Sequence, residues 1–144
     1  MRVDFAFGAT NRFRTSCELL QAHYERGRQL MVYLGDQRAL AHFNRFLWGF
    51  QPTAFVPHAL ASDTYAAQTP IILCHDQNQM QQAEQWLEQP WLLNLDQEVP
   101  PLLPQSKRIL EVVSSEEHCR QQARLRWRAY QSRGFDLKAR ELQR

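Results

Sequence analysis

The stretch Gln29-Leu30-Met31-Val32-Tyr33-Leu34-Gly35-Asp36 decides the architecture. Its apolar run is nearly continuous, with no alternation of polar and apolar positions. A strand of that kind has both faces covered, which is the environment of a parallel sheet. Gly35-Asp36 then turns the chain. Upstream, residues 14–26 place Cys17, Leu20 and Tyr24 at helical spacing, and Gly27 supplies a left-handed stop. Further upstream, Val3-Asp4-Phe5-Ala6-Phe7 alternates and predicts a first strand, with Gly8-Ala9-Thr10-Asn11 as a turn.

Downstream, residues 37–47 predict a second helix with Leu40, Phe43 and Leu47 inward, followed by an ordered aromatic loop from Trp48 to Pro57. Asp63 to Pro70 reads as a polar turn region. Ile71-Ile72-Leu73-Cys74 is a second short buried strand, residues 79–88 a short helix, and Trp91–Leu95 another strand. The prolines of Val99–Pro104 exclude a central strand there. Ile109–Val113 is the last predicted strand. Ser114-Ser115-Glu116-Glu117 has the form of a capping box, with Ser114 as N-cap, opening a helix that runs to about Arg133 and stops at Gly134.

Strands alternating with helices predict an α/β fold: one domain over residues 1–144, with a mostly parallel central sheet and helices on both faces. It is Rossmann-like but lacks the nucleotide-binding glycine loop. After the first strand the chain offers one glycine in Gly8-Ala9-Thr10-Asn11-Arg12, and neither GxGxxG nor GK[ST] occurs.

Composition narrows the classes further. The 144 residues are 44% apolar and 22% charged, ordinary for a globular chain. No apolar run approaches the roughly 18 residues of a membrane helix, and the N-terminus has no signal-peptide core. A cytoplasmic location without membrane contact is expected. Cys17, Cys74 and Cys119 are scattered and odd in number, which argues against a disulfide framework. No CxxC or HExxH is present, so neither metal nor cofactor is expected. Cys74-His75-Asp76 stands at a strand end, where α/β enzymes place functional groups. A turn is the commoner use of such a His-Asp pair, and a small enzyme built on it is the least favoured reading.

Charge is unevenly spread. The net charge is +2, yet residues 118–144 carry +6 and residues 1–117 carry −4. The basic end comprises Arg120, Arg124, Arg126, Arg128, Arg133, Lys138, Arg140 and Arg144 against Asp136 and Glu141. An acidic partner for this segment is implied. On the last helix Arg120, Arg124 and Arg128 recur every fourth residue as one stripe, and Cys119, Ala123, Trp127 and Tyr130 form an adjoining apolar stripe. With Trp127 at the border and Val112-Val113 nearby, the site suits a ligand both acidic and hydrophobic. A direct single-stranded nucleic-acid module is the alternative use of this helix. A second surface is the segment Phe46–His58, whose four large aromatics are hard to bury together from a loop; packing in the core is their plain use, and a protein interface the other.

The chain resembles the chi subunits of bacterial DNA polymerase III holoenzyme. The resemblance is carried by Leu47-Trp48 with Phe55-Val56-Pro57-His58, by Glu111-Val112-Val113, and by Ala123-Arg124 through Arg126-Trp127-Arg128-Ala129-Tyr130 to Gly134-Phe135. It implies an accessory subunit with no activity of its own in a DNA-directed DNA polymerase complex, a nucleotidyltransferase. It implies two partners and only indirect contact with DNA. The psi subunit of the clamp-loader complex would meet Trp48, Phe55 and Val56. The acidic C-terminal tail of single-stranded DNA-binding protein would meet Val113, Arg120, Arg124, Trp127 and Arg128, with Gly134 and Phe135 close by.

Overall fold

The computed structural model describes residues 1–104 and 106–142. Its strands are β1 (Arg2–Ala9), β2 (Leu30–Tyr33), β3 (Ala59–Leu60), β4 (Ile71–Cys74), β5 (Trp91–Asn94), β6 (Arg108–Ser114) and β7 (Asp136–Glu141). Its helices are α1 (Arg12–Glu25), α2 (Gln37–Gly49), α3 (Gln77–Trp86) and α4 (Glu117–Ser132), with a 3-10 turn at Ala66–Gln68. The strands form one sheet in the order β3-β4-β2-β5-β6-β1-β7. Every pairing is parallel.

The alternation of strand side chains divides the core in two. Leu30, Val32, Ile71, Leu73, Leu93 and Val112 point to the face covered by α1 and α2, where they meet Leu20, Leu40, Phe43 and Leu47. Met31, Ile72, Leu92, Ile109 and Val113 point to the opposite face and meet Met80 and Ala83 of α3 and Ala123 and Tyr130 of α4. Strands buried on both sides have no polar positions to spare, hence the unbroken apolar run of β2.

Helix starts use short side chains. Asn11 accepts from Arg14 N, Asp36 from Arg38 N and Ala39 N, and Asp76 from Gln79 N. Both α1 and α4 end in a Schellman motif. Gly27 and Gly134 sit at φ +78° and +76°, and the residue after each glycine bonds back to His23 O and Tyr130 O respectively.

Three expectations are corrected. Ser114 does not cap α4; it is the last residue of β6, in register with Ala9, while Ser115 N bonds Ala9 O. The ladder to β1 holds both serines, and α4 starts at Glu117 with no side-chain cap. Helix α2 extends two residues beyond Leu47, so Trp48 lies in its last turn rather than in a loop. Two edge strands, β3 and β7, stand where neither was expected.

Candidate protein-binding surfaces

The first surface forms where α2 stops. Arg14 Nη1 on α1 donates to Phe50 O at 3.1 Å and so satisfies a carbonyl just past the end of α2. Phe50 and Val56 are driven into the core, at 7% and 2% exposure. The chain between them is thereby pinned at both ends, and Phe55 is pushed outward at 69%. Trp48 is 47% exposed and lies 5.9 Å from the Phe55 ring. Buried His58 supports it from below, with ring centroids 4.0 Å apart. His58 Nδ1 is 2.6 Å from Val56 O and is the ring nitrogen that donates there. Burial lowers the His58 pKa, against the opposing pull of the Val56 and Asn44 carbonyls and of Asp63. The ring therefore stays neutral at pH 7 and acts as an aromatic shelf. Of the four large aromatics in this segment, Phe50 is buried, Phe46 is half-buried, and Trp48 and Phe55 are left in solvent. Two adjacent exposed aromatics on a rigid support are the chemistry of an interface anchor.

The second surface is the outer side of α4. Arg120, Arg124 and Arg128 are all exposed. Glu117 lies 3.5 Å from Arg120 and 4.0 Å from Arg124, exposed pairs that give way readily to another carboxylate. Trp127 is half-buried, its ring 5.0 Å from Phe5, so its outer edge borders the arginine row. Phe135 packs 6.0 Å from Tyr130 just past the Gly134 stop. Val113 is 5% exposed and supports this surface from within.

The basic C-terminal segment is not a single patch. Arg126, counted with the solvated cations on sequence, is 2% exposed and points into the fold. Its Nε lies 3.1 Å from Glu111 Oε1, and its Nη1 donates to Gln97 O. Glu111 is fully buried and also accepts from Tyr130 Oη at 2.7 Å and Asn94 Nδ2 at 2.9 Å. Burial, followed by the Glu111 charge and hydrogen bond, raises the Tyr130 hydroxyl pKa well above its ordinary value. Lys138 and Arg140 lie on β7, across the sheet from the α4 arginines, and Arg144 falls outside the described residues.

Arg12 completes this network. It opens α1 at the carboxyl ends of β1, β5 and β6, where an open parallel sheet usually seats a ligand. There its guanidinium donates to the carbonyls of Val112, Leu95, Asn94 and Asp96 and lies 3.8 Å from Glu111. An arginine side chain thus takes up the carbonyls at the strand ends bordering this crevice. The sequence reading noticed the missing glycines and overlooked Arg12.

The Cys74-His75-Asp76 trio is built as a turn. Cys74 is fully buried, and burial pushes its thiol up to about 12, with Asp76 adding to the shift. A thiol so raised is not a thiolate at neutral pH. Asp76 is committed to capping α3, and His75 Nδ1 lies 3.6 Å from it. Among the described residues no three His, Cys, Asp or Glu side chains gather as a metal site, and no helix is long and apolar enough to cross a membrane.

The fold and crevice define an α/β domain of Rossmann-like architecture whose strand-end carbonyls are taken up by its own Arg12. More specifically, the chain belongs to the DNA polymerase III chi subunit family: the model of that family, described as DNA polymerase III chi subunit, HolC, matches residues 1–138. A DNA polymerase III subunit chi of Pseudomonas aeruginosa is 29% identical over 99% of this chain and 98% of its own length. The subunit chi of Haemophilus influenzae is 24% identical over 85% and 81%, and that of Escherichia coli 22% over 84% and 79%. The protein is therefore an accessory subunit of the replicative DNA polymerase III.

Proposed function

We propose that this chi subunit is an adaptor with two protein-binding surfaces on opposite faces of one sheet. The Trp48–Phe55 pair holds the psi subunit of the clamp-loader complex, with Val56 anchoring the loop beneath it. The α4 row of Arg120, Arg124 and Arg128, bordered by Trp127 and underlain by Val113, takes the acidic C-terminal tail of single-stranded DNA-binding protein. The observation that carries the reading is the pairing of exposed aromatics with a separate exposed arginine row, α2 covering one face and α4 the other. Guanidinium groups grip carboxylates bidentately while an adjoining ring takes a hydrophobic terminus. Each contact can be weak, because a coated template presents many tails and tethering raises the effective concentration.

Fluorescence anisotropy of a labelled tail peptide tests the assignment. Wild type should bind in a salt-sensitive manner, and Arg124→Ala should remove most of the binding. The family resemblance implies a tail that ends in phenylalanine, and a tail peptide lacking that residue should also fail. Phe55→Ala should abolish psi binding and spare the tail. Tail binding that survives Arg124→Ala together with Arg128→Ala would sink the site.

A further inference from the structure

A groove of about 410 Å³ lies between α1 and the starts of β1, β6 and β7, on the face away from α4. Its charge is one-sided. Arg2 and Arg108 rise from the strand starts, Arg26 and Arg28 stand at the end of α1, and Lys138 and Arg140 line it from β7. The parallel register explains the convergence. Arg2 is level with Arg108, Asp4 with Lys138 and Ala6 with Arg140, so these side chains share one face of the sheet. Against six cations the groove presents one accessible carboxylate, Asp4, already bonded to Arg2 at 3.0 Å and Arg108 at 2.6 Å. Asp136 sits beside Lys138 at 3.7 Å, an exposed pair of little strength.

Two of the cations are held in place. The guanidinium carbons of Arg28 and Arg108 lie 4.2 and 4.0 Å from the centroid of the Trp91 ring. Arg28 Nη1 is also 2.6 Å from His23 Nδ1. An imidazole nitrogen facing a guanidinium acts as acceptor, so His23 is neutral there. Its pKa is lowered to about 4 by burial first and then by Arg28, Arg26, Arg108 and Arg140. The groove thus keeps an excess of positive charge, which Asp4 and Asp136 offset only in part.

We propose that this groove binds the phosphodiester backbone of single-stranded nucleic acid without reading its bases. Phosphates match the row of guanidinium and ammonium groups. Trp91 is engaged by two guanidinium groups and by His23, whose ring stands edge-on at 5.0 Å, so it offers no platform for base stacking. A single flexible strand can bend its phosphates onto cations that rise from α1, β1, β6 and β7, as a rigid duplex cannot. The site lies apart from both protein-binding surfaces and would give the subunit a direct contact with the template.

The test is anisotropy of a labelled oligo-dT of about 20 nucleotides across a salt series. Wild type should bind at low salt. Arg26→Glu with Arg140→Glu, both at exposed positions, should weaken binding by about tenfold or more and flatten the log–log salt slope by about 1.4, at ~0.7 per phosphate contact. Arg26→Lys with Arg140→Lys should retain most of the affinity, and Arg124→Ala should leave it unchanged. Lys138→Glu alone gives the same direction of change should the double reversal lose its fold by circular dichroism. No binding at low salt overturns the proposal. So does binding lost in Arg124→Ala but kept in the double reversal, which would move the contact to α4. Equal competition by poly-glutamate at matched charge would overturn the nucleic-acid assignment.

Discussion

Replacing Arg126 by Met tests whether the buried carboxylate depends on that residue. Met keeps the apolar stem and most of the volume, so the change is chiefly one of charge. At 3.1 Å, a pair in an effective dielectric of about 20 attracts by roughly 5 kcal/mol before desolvation. Arg12, at 3.8 Å from the same carboxylate, supplies roughly 4 kcal/mol on the same scale. The hydrogen bonds from Tyr130 and Asn94 also survive the change. Glu111 is therefore weakened and not stranded. Among the described residues Arg126 Nη2 finds no hydrogen-bond partner although it is buried, so its removal also relieves a cost. The loss should fall near the low end of the range for breaking a buried pair, about 3 kcal/mol. Urea unfolding followed by circular dichroism reads it as a lower midpoint at unchanged slope. In a cycle with Glu111→Gln, the double variant should lose less than the sum of the singles by about 1–3 kcal/mol. A loss below about 1 kcal/mol, or additive singles, would refute the idea that these two charges stabilise each other.

Four further outcomes follow from named contacts. Trp48→Ala and Phe55→Ala should each shift stability by no more than about 0.5–1 kcal/mol in urea, because both side chains face water, while pull-down of the psi subunit is lost. Gly134→Ala should cost about 1 kcal/mol or more in the same measurement, since φ +76° is strained for any residue with a Cβ. His23, with its folded pKa depressed to about 4, binds fewer protons folded than unfolded, so its contribution is present above about pH 6.5 and lost as pH falls toward 4; His23→Gln should flatten unfolding free energy against pH in that window. Cys74→Ala should cost about 1 kcal/mol through a small cavity, and Ellman titration of the native protein should find Cys74 unreactive until the chain unfolds.

The strands legible in the sequence were those buried on both faces, together with β1, which its alternation marks. Leu30–Tyr33 and Ile71–Cys74 are apolar runs because helices cover them on each side, and Trp91–Asn94 and the centre of β6 are apolar apart from Asn94 and Glu111, which bond to each other. β7 escaped for the opposite reason. As an edge strand it exposes Asp136, Lys138, Ala139, Arg140 and Glu141, so its composition resembles a solvated tail. Only Leu137, packed toward Tyr130 and Phe135, hints at pairing. The capping box failed because a local signal at Ser114 lost to a non-local ladder with Ala9. Trp48 and Phe55 were legible as excess aromatics, and the α4 arginine row as a four-residue repeat. Arg126 was not, since residue type alone does not separate it from its neighbours Arg124 and Arg128. Its position relative to Ala123 and Tyr130, three before and four after, is the signal that could have found it.

The two inward arginines explain how a nucleotide-type sheet comes to present its chemistry elsewhere. At the carboxyl ends of its strands such a sheet leaves backbone carbonyls, and a glycine-rich turn usually lets a phosphate approach the adjacent helix start. Here Arg12 takes those carbonyls itself and Arg126 closes the same site from α4, with Glu111 between them offsetting one of the two charges. The interior charge is thereby spent on holding α1 and α4 to the strand ends. Of the cations left in solvent, one group lies on the outer side of α4 and another in the α1–β7 groove. Because the sheet lies between them, a ligand on one cannot screen the other at distances much beyond the Debye length of about 10 Å at 0.1 M salt. Variants on α4 and variants in the groove should therefore act additively on any substrate that carries both a protein tail and a bare strand. Strong coupling between Arg124→Ala and Arg140→Glu on such a substrate would mean that the two faces work as one surface.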